Sequence, residues 1–325
     1  METPPSTTER EPPETSTPSP ELEPGMPPGS ARPRVIYVLG AGRSGSTILG
    51  VALGNCAGVF FAGELNKWLT QSGMPSLEDP ERVTFWGAVR ADVAGADQLF
   101  GFQTTCLERS SALFRVRKWP QRRRLRPQYR RISEQLYRAI ARATGASYVV
   151  DTSHYPLRAR ELQAVEGIEL HLLYLVRDPQ TVVRSLARKD VAERSFGMLT
   201  TNAYLWLTNL LSVLVFLRHP RERRLFVRHE DFRADPAGVL GQILEHVGAP
   251  GAIPDLGALR TGLPLHGNRL VGAEVVALEG SEPAPARGSA VTALLQLPWR
   301  LVFSLLRPAV RIPAPAGAPA PPAER

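Results

Sequence analysis

A short apolar segment runs directly into a glycine-rich turn near the start of the chain, in VIYVLGAGRSGSTIL at residues 35–49. Glycines let the backbone approach an anion closely, the exposed N–H groups of such a turn point toward it, and the N-terminus of a following helix adds partial positive charge. The turn therefore predicts a phosphate-binding loop. Residues 40–47 match the pattern GxxxxGK[ST] at every fixed position but one, where Ser46 replaces the lysine.

The missing lysine limits which phosphate the loop can hold. In nucleoside triphosphate enzymes this lysine reaches the β- and γ-phosphates, whereas here Arg43 and Ser44 supply a cation and a hydroxyl earlier in the loop. The three glycines also fit the dinucleotide pattern GxGxxG, and Glu64 follows at about the distance of a ribose-binding carboxylate, roughly twenty residues. The loop alone leaves a triphosphate site, a dinucleotide site and a turn without a ligand open.

Downstream, apolar strands alternate with helical segments, which is the pattern of an α/β fold with a parallel sheet covered on both faces. We predict strands at 34–39, 59–62, 147–150, 170–176 and 225–228, and helices at 46–55, 132–144, 157–165, 179–188, 198–217 and 236–247. In such open sheets ligands bind beyond the carboxyl ends of the strands. Polar residues follow the strands there, namely Arg43, Glu64, residues 151–154 (DTSH) and Arg177.

The length supports one folded domain with tails. The 325 residues, of which 43% are hydrophobic, can bury one full α/β core but hardly two. Residues 1–33 are rich in Pro, Ser, Thr and Glu, and residues 312–325 in Pro and Ala, so both are predicted to be disordered. The domain is expected at 34–275, with an insert or lid at 66–131 that forms the acceptor region and a linker with an amphipathic helix at 276–311.

The sequence predicts neither a membrane span nor a metal site. The most apolar run, residues 205–217, is too short for a bilayer and contains polar side chains, which favours a buried helix. The amphipathic segment 294–310 is expected to lie against the body, a membrane surface or a partner. The N-terminal stretch is not of signal- or transit-peptide type, and Cys56 and Cys106 have no metal-ligand spacing. We therefore expect a cytoplasmic protein without a metal ion.

The net charge of +8 and the pI near 10.0 raise the question of nucleic-acid binding. Residues 114–131 (FRVRKWPQRRRLRPQYRR) interleave arginines with Trp119 and Tyr129. However, arginines are spread along the whole chain, two prolines break this segment, and it matches no nucleic-acid-binding motif. We interpret it as a solvated arginine-rich surface, with the alternative that it steers an anionic acceptor or cofactor toward the site.

A second motif, LYLVRDPQTVVRSLAR at residues 173–188, makes the interpretation specific. Arg177 leaves a buried strand, and Ser185 lies eight residues later on the following helix. An RSGST loop combined with this Arg/Ser pair resembles the sulfotransferase family that uses 3′-phosphoadenosine 5′-phosphosulfate (PAPS), and the pattern is closest to its carbohydrate and tyrosylprotein branch. The resemblance implies a P-loop NTPase-like three-layer sandwich with a central parallel sheet. It also implies no magnesium, because PAPS has no β–γ phosphate pair.

The resemblance further implies individual nucleotide-binding roles. Arg177 and Ser185 would hold the 3′-phosphate, and the glycine-rich loop would hold the 5′-phosphosulfate. Residues 266–269 (HGNR) resemble a C-terminal element near the nucleotide, with a shortened spacer. The cofactor-binding residues implied in this way are Gly42, Arg43, Ser44, Gly45, Ser46, Thr47, Arg177, Ser185, Asn268 and Arg269.

The implied catalytic residues are Arg43, Glu64 and His154. Glu64, in AGEL, resembles the glutamate that is the general base of the carbohydrate and tyrosylprotein branch, and a carboxylate there can take the proton of an attacking hydroxyl. His154 stands where relatives often carry a lysine that contacts the bridging oxygen of the leaving phosphate. A protonated histidine can do the same, or a histidine can be the base, as in the cytosolic branch. The sequence leaves open which of Glu64 and His154 is the base.

The predicted function is therefore in-line transfer of a sulfuryl group from PAPS to a hydroxyl of a carbohydrate or small-metabolite acceptor, without a metal ion. One alternative is a P-loop kinase, against which Ser46 argues. A second is a non-catalytic basic module that binds a nucleotide or RNA, and a third is a Rossmann dehydrogenase, for which no hydride site is recognisable. Residues 66–131 match no known pattern, so the acceptor itself is not predicted.

Overall fold

The structure, a computed structural model, describes residues 32–70, 73–76, 78–95, 102–187, 197–278 and 290–306. The predicted C-terminal tail, and the predicted N-terminal tail up to residue 31, lie outside the described residues. So do parts of the predicted insert and linker.

Five parallel strands form the central sheet. They are β1 (Arg34–Gly40), β2 (Val59–Gly63), β3 (Tyr148–His154), β4 (Glu169–Val176) and β5 (Arg224–Arg228). Their spatial order is β2-β3-β1-β4-β5, which places β1 and the glycine-rich turn that follows it in the middle. All the predicted strands are present, and the predicted α/β fold is confirmed.

Helices cover both faces of this sheet. They are α1 (Ser46–Gly54), α2 (Asn66–Thr70), α3 (Pro80–Ala91), α4 (Phe102–Glu108), α5 (Trp119–Thr144), α6 (Pro156–Leu162), α7 (Pro179–Ala187), α8 (Met198–Arg218), α9 (His229–Ala234), α10 (Pro236–Val247) and α11 (Ala290–Leu305). A two-stranded antiparallel pair, β6 (Leu259–Arg260) and β7 (Val275–Val276), lies apart from the main sheet.

The side chains of β1 are buried alternately on the two faces, as expected of a central parallel strand. Val35, Tyr37 and Leu39 belong to a core shared with α5, α6 and α8. Ile36 and Val38 belong to a second core, shared with α1 and α10. Two cores on opposite faces of one sheet make the three-layer sandwich that the resemblance implied.

Helix α5 is longer than the sequence predicted, because its prolines do not break it. Pro120 lies in the first turn, where a backbone N–H has no partner within the helix, and Pro127 lies inside the helix. Pro127 is exposed, so water can reach the carbonyl that its missing N–H leaves unpaired. The arginine-rich segment is therefore helical from Trp119 onward, and the prediction of a helix limited to 132–144 was wrong.

Strand β3 also extends further than predicted and takes Asp151 into the core. Asp151 accepts a hydrogen bond of 2.6 Å from the Tyr137 hydroxyl and pairs with Arg158 at 3.1 Å. Both charged groups are fully buried. Of the predicted polar group at 151–154, only His154 at the strand end faces the cleft described below.

The described part of the predicted insert is helical, and α3 supports the C-terminal segment of the domain. Buried Arg82 donates a hydrogen bond of 2.7 Å to the carbonyl of Val271, and Trp86 donates one of 3.0 Å to the carbonyl of Leu263. These bonds hold both ends of the segment that contains the predicted residues 266–269. Helix α3 thus fixes that segment in place.

Among the helices that the structure describes, α8 is the one that is long and apolar enough to cross a membrane, judged by length and composition alone. However, 44% of its most apolar 18-residue stretch is buried within the fold. Helix α11, predicted at 294–310, is observed at 290–305 and packs against α7 and α8. Its Trp299 and Phe303 are buried.

Cys56 and Cys106 are buried free thiols, and burial raises the pKa of Cys56 to about 11.

Candidate active site

The turn between β1 and α1 has the backbone of an anion-binding loop. Gly45 precedes α1 with φ 91°, and a Cβ there would lie 2.3 Å from Nδ1 of His229, so no other residue fits. Arg43 adopts φ 71°, which is rare for a residue with a side chain and is typical of functional sites. Within the described residues no side chain caps the first turn of α1, whose N–H groups are thus available to an anion.

This loop borders an open cleft of about 440 Å³ at the carboxyl ends of the central strands. The cleft brings together every site residue predicted from the sequence except Ser44: Gly42, Arg43, Gly45, Ser46, Thr47, Glu64, His154, Arg177, Ser185, Asn268 and Arg269. It also includes His266, which belongs to the element at 266–269 that the resemblance placed near the nucleotide. The volume suits a nucleotide-sized or drug-sized ligand.

Ser44 and Thr47 occupy different positions around the loop. Ser44 is buried and lines a separate small cavity beside Ala41 and Arg177. Thr47 lies in the cleft, where its hydroxyl accepts a hydrogen bond of 3.4 Å from the backbone N–H of Asn268. This bond joins the start of α1 to the C-terminal segment.

The two sequence motifs meet directly in the cleft. Nε of Arg43 donates a hydrogen bond of 3.1 Å to the hydroxyl of Ser185 on α7. Nη1 of Arg177, at the end of β4, donates one of 3.3 Å to the backbone carbonyl of Arg43. The loop after β1 and the turn after β4 therefore form one unit with two guanidinium groups.

Glu64 is held beside the C-terminal segment by its backbone and its side chain. Its N–H donates a hydrogen bond of 2.9 Å to the carbonyl of His266, and that close approach requires Gly63, where φ is 79° and a Cβ would lie 2.2 Å from the same oxygen. Nδ1 of His266 lies 3.5 Å from Oε2 of Glu64. The sequence did not indicate this pairing, because it depends on two segments that are distant in the chain.

Charges around Glu64 keep its side chain ionised. Burial alone would raise the pKa of its carboxyl, but the hydrogen bond with His266 and the positive charges of His154, His266 and Lys67 outweigh burial. The pKa of Glu64 therefore lies below its ordinary value. At neutral pH the cleft contains a carboxylate that can accept a proton.

His154 ends β3 in a left-handed conformation, with φ 55°. Its Nδ1 lies 3.3 Å from the carbonyl of Thr152, and its Nε2 faces the loop, 3.6 Å from the point a Cβ on Gly42 would occupy. The hydroxyl of Tyr204 on α8 lies 3.8 Å from the same point. Burial raises the pKa of Tyr204, so this group is a neutral phenol. Tyr204 was not predicted, because nothing in an apolar helix indicates which residue reaches the loop.

The last predicted pair, Asn268 and Arg269, lies at the rim of the cleft. The side-chain oxygen of Asn268 accepts a hydrogen bond of 2.6 Å from the N–H of Arg269 and so caps the short 3₁₀ helix Arg269–Gly272. The amide of Asn268 thus supports the local backbone, while Arg269 adds a further cation to the cleft.

The described residues contain no group of three or more His, Cys, Asp or Glu that could hold a metal ion.

Known sulfotransferase structures are similar to this chain at low identity. The sulfotransferase domain from the curacin biosynthetic pathway is 18% identical with a TM-score of 0.47, and the match covers 83% of this chain and 99% of that domain. The sulfotransferase domain of the Synechococcus PCC 7002 olefin synthase is 18% identical with a TM-score of 0.46, covering 84% and 97%. A sulfotransferase from Alicyclobacillus acidocaldarius is 14% identical with a TM-score of 0.40, covering 85% and 93%.

A comparison with curated protein sequences gives no match. The profile of a family described as "Sulfotransferase family" matches residues 33–254. This range is more than half of the chain and contains both motifs, from the glycine-rich loop to Ser185. The chain therefore belongs to the sulfotransferase family.

Proposed function

We propose that the protein transfers the sulfuryl group of PAPS to a hydroxyl of a carbohydrate or small-metabolite acceptor, without a metal ion. One observation carries the proposal above the others. Arg43 contacts both Ser185 and Arg177, so the motif expected to bind the 5′-phosphosulfate and the motif expected to bind the 3′-phosphate form one anion-binding unit.

The residues present fit such a nucleotide. Two guanidinium groups and the uncapped N-terminus of α1 favour a ligand with several negative charges. Ser46, in place of the lysine, fits a nucleotide without a β–γ phosphate pair. When bound, PAPS supplies an activated sulfuryl group whose leaving group is a phosphate.

Arg43, Glu64 and His154 then have separate roles in the transfer. Arg43 and the N–H groups of the loop hold the charged oxygens, and their fixed positions stabilise charge that develops during in-line transfer. Glu64 accepts the proton of the acceptor hydroxyl, because its lowered pKa keeps it ionised at neutral pH. His154 donates a hydrogen bond from Nε2 toward the loop, where the leaving phosphate oxygen is expected.

We assign the base role to Glu64 on the basis of these neighbours. Glu64 is paired with His266, whereas Nε2 of His154 faces Gly42 in the phosphate loop. A histidine at the loop suits donation to an anion better than removal of a proton from a distant hydroxyl.

The buried free thiols of Cys56 and Cys106 fit a reducing compartment, and we propose the cytoplasm as the location.

Calorimetry with the full chain tests nucleotide recognition. We expect 3′-phosphoadenosine 5′-phosphate to bind at least tenfold more tightly than AMP, since only the former carries the 3′-phosphate. Equal affinities would contradict the proposal. ATP with magnesium is the matched control, and a thermal shift with it as large as that with 3′-phosphoadenosine 5′-phosphate would instead favour a kinase.

A further inference from the structure

Helices α8 and α11 pack against the protein through polar as well as apolar side chains. The buried side of α8 combines Leu205, Val215 and Phe216 with the polar residues Thr201, Asn202, Thr208, Asn209 and Ser212. On α11, Thr292 and Gln296 are buried beside Trp299 and Phe303. A surface helix of a globular protein normally buries its apolar side and exposes its polar side.

Hydrogen bonds between the two helices fix this orientation. Nε2 of Gln296 donates a bond of 2.8 Å to the side-chain oxygen of Asn202, and Nδ2 of Asn202 donates one of 3.4 Å to the hydroxyl of Thr292. Nε1 of Trp206 donates a bond of 2.8 Å to the carbonyl of Leu295. Neither helix can rotate its leucines inward without breaking the two buried bonds of Asn202, which is costly.

The sides that face outward are rows of leucine. We call the leucine face the set formed by Leu210, Leu214 and Leu217 on α8 and Leu294, Leu301 and Leu305 on α11. Their exposed fractions range from 40% for Leu214 to 84% for Leu305. Leucines concentrated on two adjacent helices, outside a polar helix interface, indicate an apolar medium on this side of the protein.

The charged residues on and beside α8 and α11 favour a lipid surface over a protein partner at the leucine face. Helices α8 and α11 contain no Asp, Glu or Lys; of their two charged residues, Arg300 pairs with Asp178, and Arg218 is exposed at the end of α8. The exposed residues Arg221, Glu222 and Arg223 follow soon after the end of α8 and add a net positive charge. Arginines at the border of an apolar face complement anionic headgroups.

An aromatic and basic segment lies next to the same helix. The 3₁₀ turn Ser110–Phe114 packs against α8, and exposed Phe114, Arg117 and Trp119 lie at its end or soon after it. Tryptophan and arginine together are typical of the boundary between lipid and water. Neither helix has an acidic residue that could pair with the arginines of a second copy, so this face is better suited to anionic headgroups.

We propose that the leucine face binds the surface of anionic lipid membranes, with α8 and α11 lying along the membrane plane. Helix α11 is tied to the cleft by an ion pair of 2.8 Å between Arg300 and Asp178, the residue after Arg177. Membrane binding would therefore hold the cleft close to the headgroup region. The inference does not depend on the proposed reaction.

Vesicle flotation of the full chain tests the inference. We expect the protein to float with vesicles of phosphatidylcholine containing phosphatidylglycerol, and to float far less with phosphatidylcholine alone. The triple variant Leu294→Glu, Leu301→Glu, Leu305→Glu should lose at least tenfold in the partition coefficient. The matched control is a triple variant at exposed apolar residues elsewhere, Val83→Glu, Ile253→Glu and Val275→Glu, which should bind as the unmodified protein does.

Several results would overturn the inference. They are the absence of binding to anionic vesicles, equal binding to both vesicle types, and unchanged binding by the leucine-face triple variant. If sedimentation finds a dimer that the triple variant dissociates while vesicles are not bound, a second copy covers the face instead. The pair Leu210→Glu, Leu217→Glu on α8 repeats the test should the α11 variant not fold, as judged by its thermal melting.

Discussion

The guanidinium of Arg43 donates a 3.1 Å hydrogen bond to the hydroxyl of Ser185, which lies 142 residues further along the chain. This bond joins the turn after β1 to the first helix after β4. Because β1 and β4 are neighbours in the sheet, the two turns lie at the same edge. A ligand with two separated phosphates can therefore be bound by both turns at once.

The variant Ser185→Ala tests this joint site. If Ser185 contacts the 3′-phosphate, the variant loses a hydrogen bond to a charged group, which is about 1.5–3 kcal/mol. We expect affinity for 3′-phosphoadenosine 5′-phosphate to fall roughly tenfold or more, with affinity for AMP unchanged. Isothermal calorimetry with both nucleotides measures the two values.

The matched control for Ser185 is Ser76→Ala, at an exposed position outside the cleft. It should leave both affinities unchanged. An equal loss of AMP affinity in Ser185→Ala would contradict a role at the 3′-phosphate, and would indicate instead that the variant disturbs Arg43.

The variant Glu64→Gln separates proton transfer from nucleotide binding. Removal of a general base typically costs about 10²–10⁴ in rate, so kcat should fall by roughly that factor. The affinity for 3′-phosphoadenosine 5′-phosphate should change little, because the amide retains the shape of the carboxyl. Steady-state kinetics with the control Glu81→Gln, an exposed glutamate at the start of α3, completes the comparison. Near-normal turnover in Glu64→Gln would transfer the base role to another group.

How well the sequence predicted each part depended on whether the determining contacts are local. The strands and the loop were predicted well, because apolar runs and glycines specify them within a few residues. Helix α5 was underpredicted, because an exposed proline such as Pro127 is tolerated where water can replace the missing bond. Tyr204 was missed as a site residue, and the pairing of His266 with Glu64 was not predicted, since both depend on packing between distant segments.

His266 should set the pH dependence of Glu64. Burial raises the pKa of the Glu64 carboxyl, and His266 opposes burial by its hydrogen bond and its charge. In His266→Ala burial acts with less opposition, so the pKa of Glu64 rises. The acid limb of the kcat profile, where Glu64 becomes protonated, should then move to higher pH.

The variant His266→Asn provides the control for that shift. Asparagine keeps a hydrogen-bond donor but not the charge, so its acid limb should lie between those of the unmodified protein and His266→Ala. Full kcat profiles across the acidic range make the measurement. An acid limb that stays in place in His266→Ala would mean that it reports a group other than Glu64.

The buried network beneath the cleft predicts a pH-dependent stability. Arg158 pairs with Asp151 at 3.1 Å and with Glu108 at 3.2 Å, so one buried cation faces two carboxyl groups. Burial, only partly opposed by Arg158 and by the Tyr129 hydroxyl, raises the pKa of Glu108 to about 7. Ionising the second carboxyl is therefore unfavourable in the folded protein.

Because folding raises the pKa of Glu108, the folded state binds this proton more tightly than the unfolded chain does. The contribution of Glu108 to stability therefore falls as the pH rises from about 4.5 to about 7. The variant Glu108→Gln retains an acceptor for Arg158 and Tyr129 but cannot ionise. The free energy of unfolding should therefore fall between pH 5 and pH 8 by more than ~1 kcal/mol relative to Glu108→Gln. Urea unfolding at both pH values measures this, with exposed Glu245→Gln as the control that should follow the unmodified protein. Parallel profiles for the unmodified protein and Glu108→Gln would mean that Glu108 keeps the same charge in the folded and unfolded states.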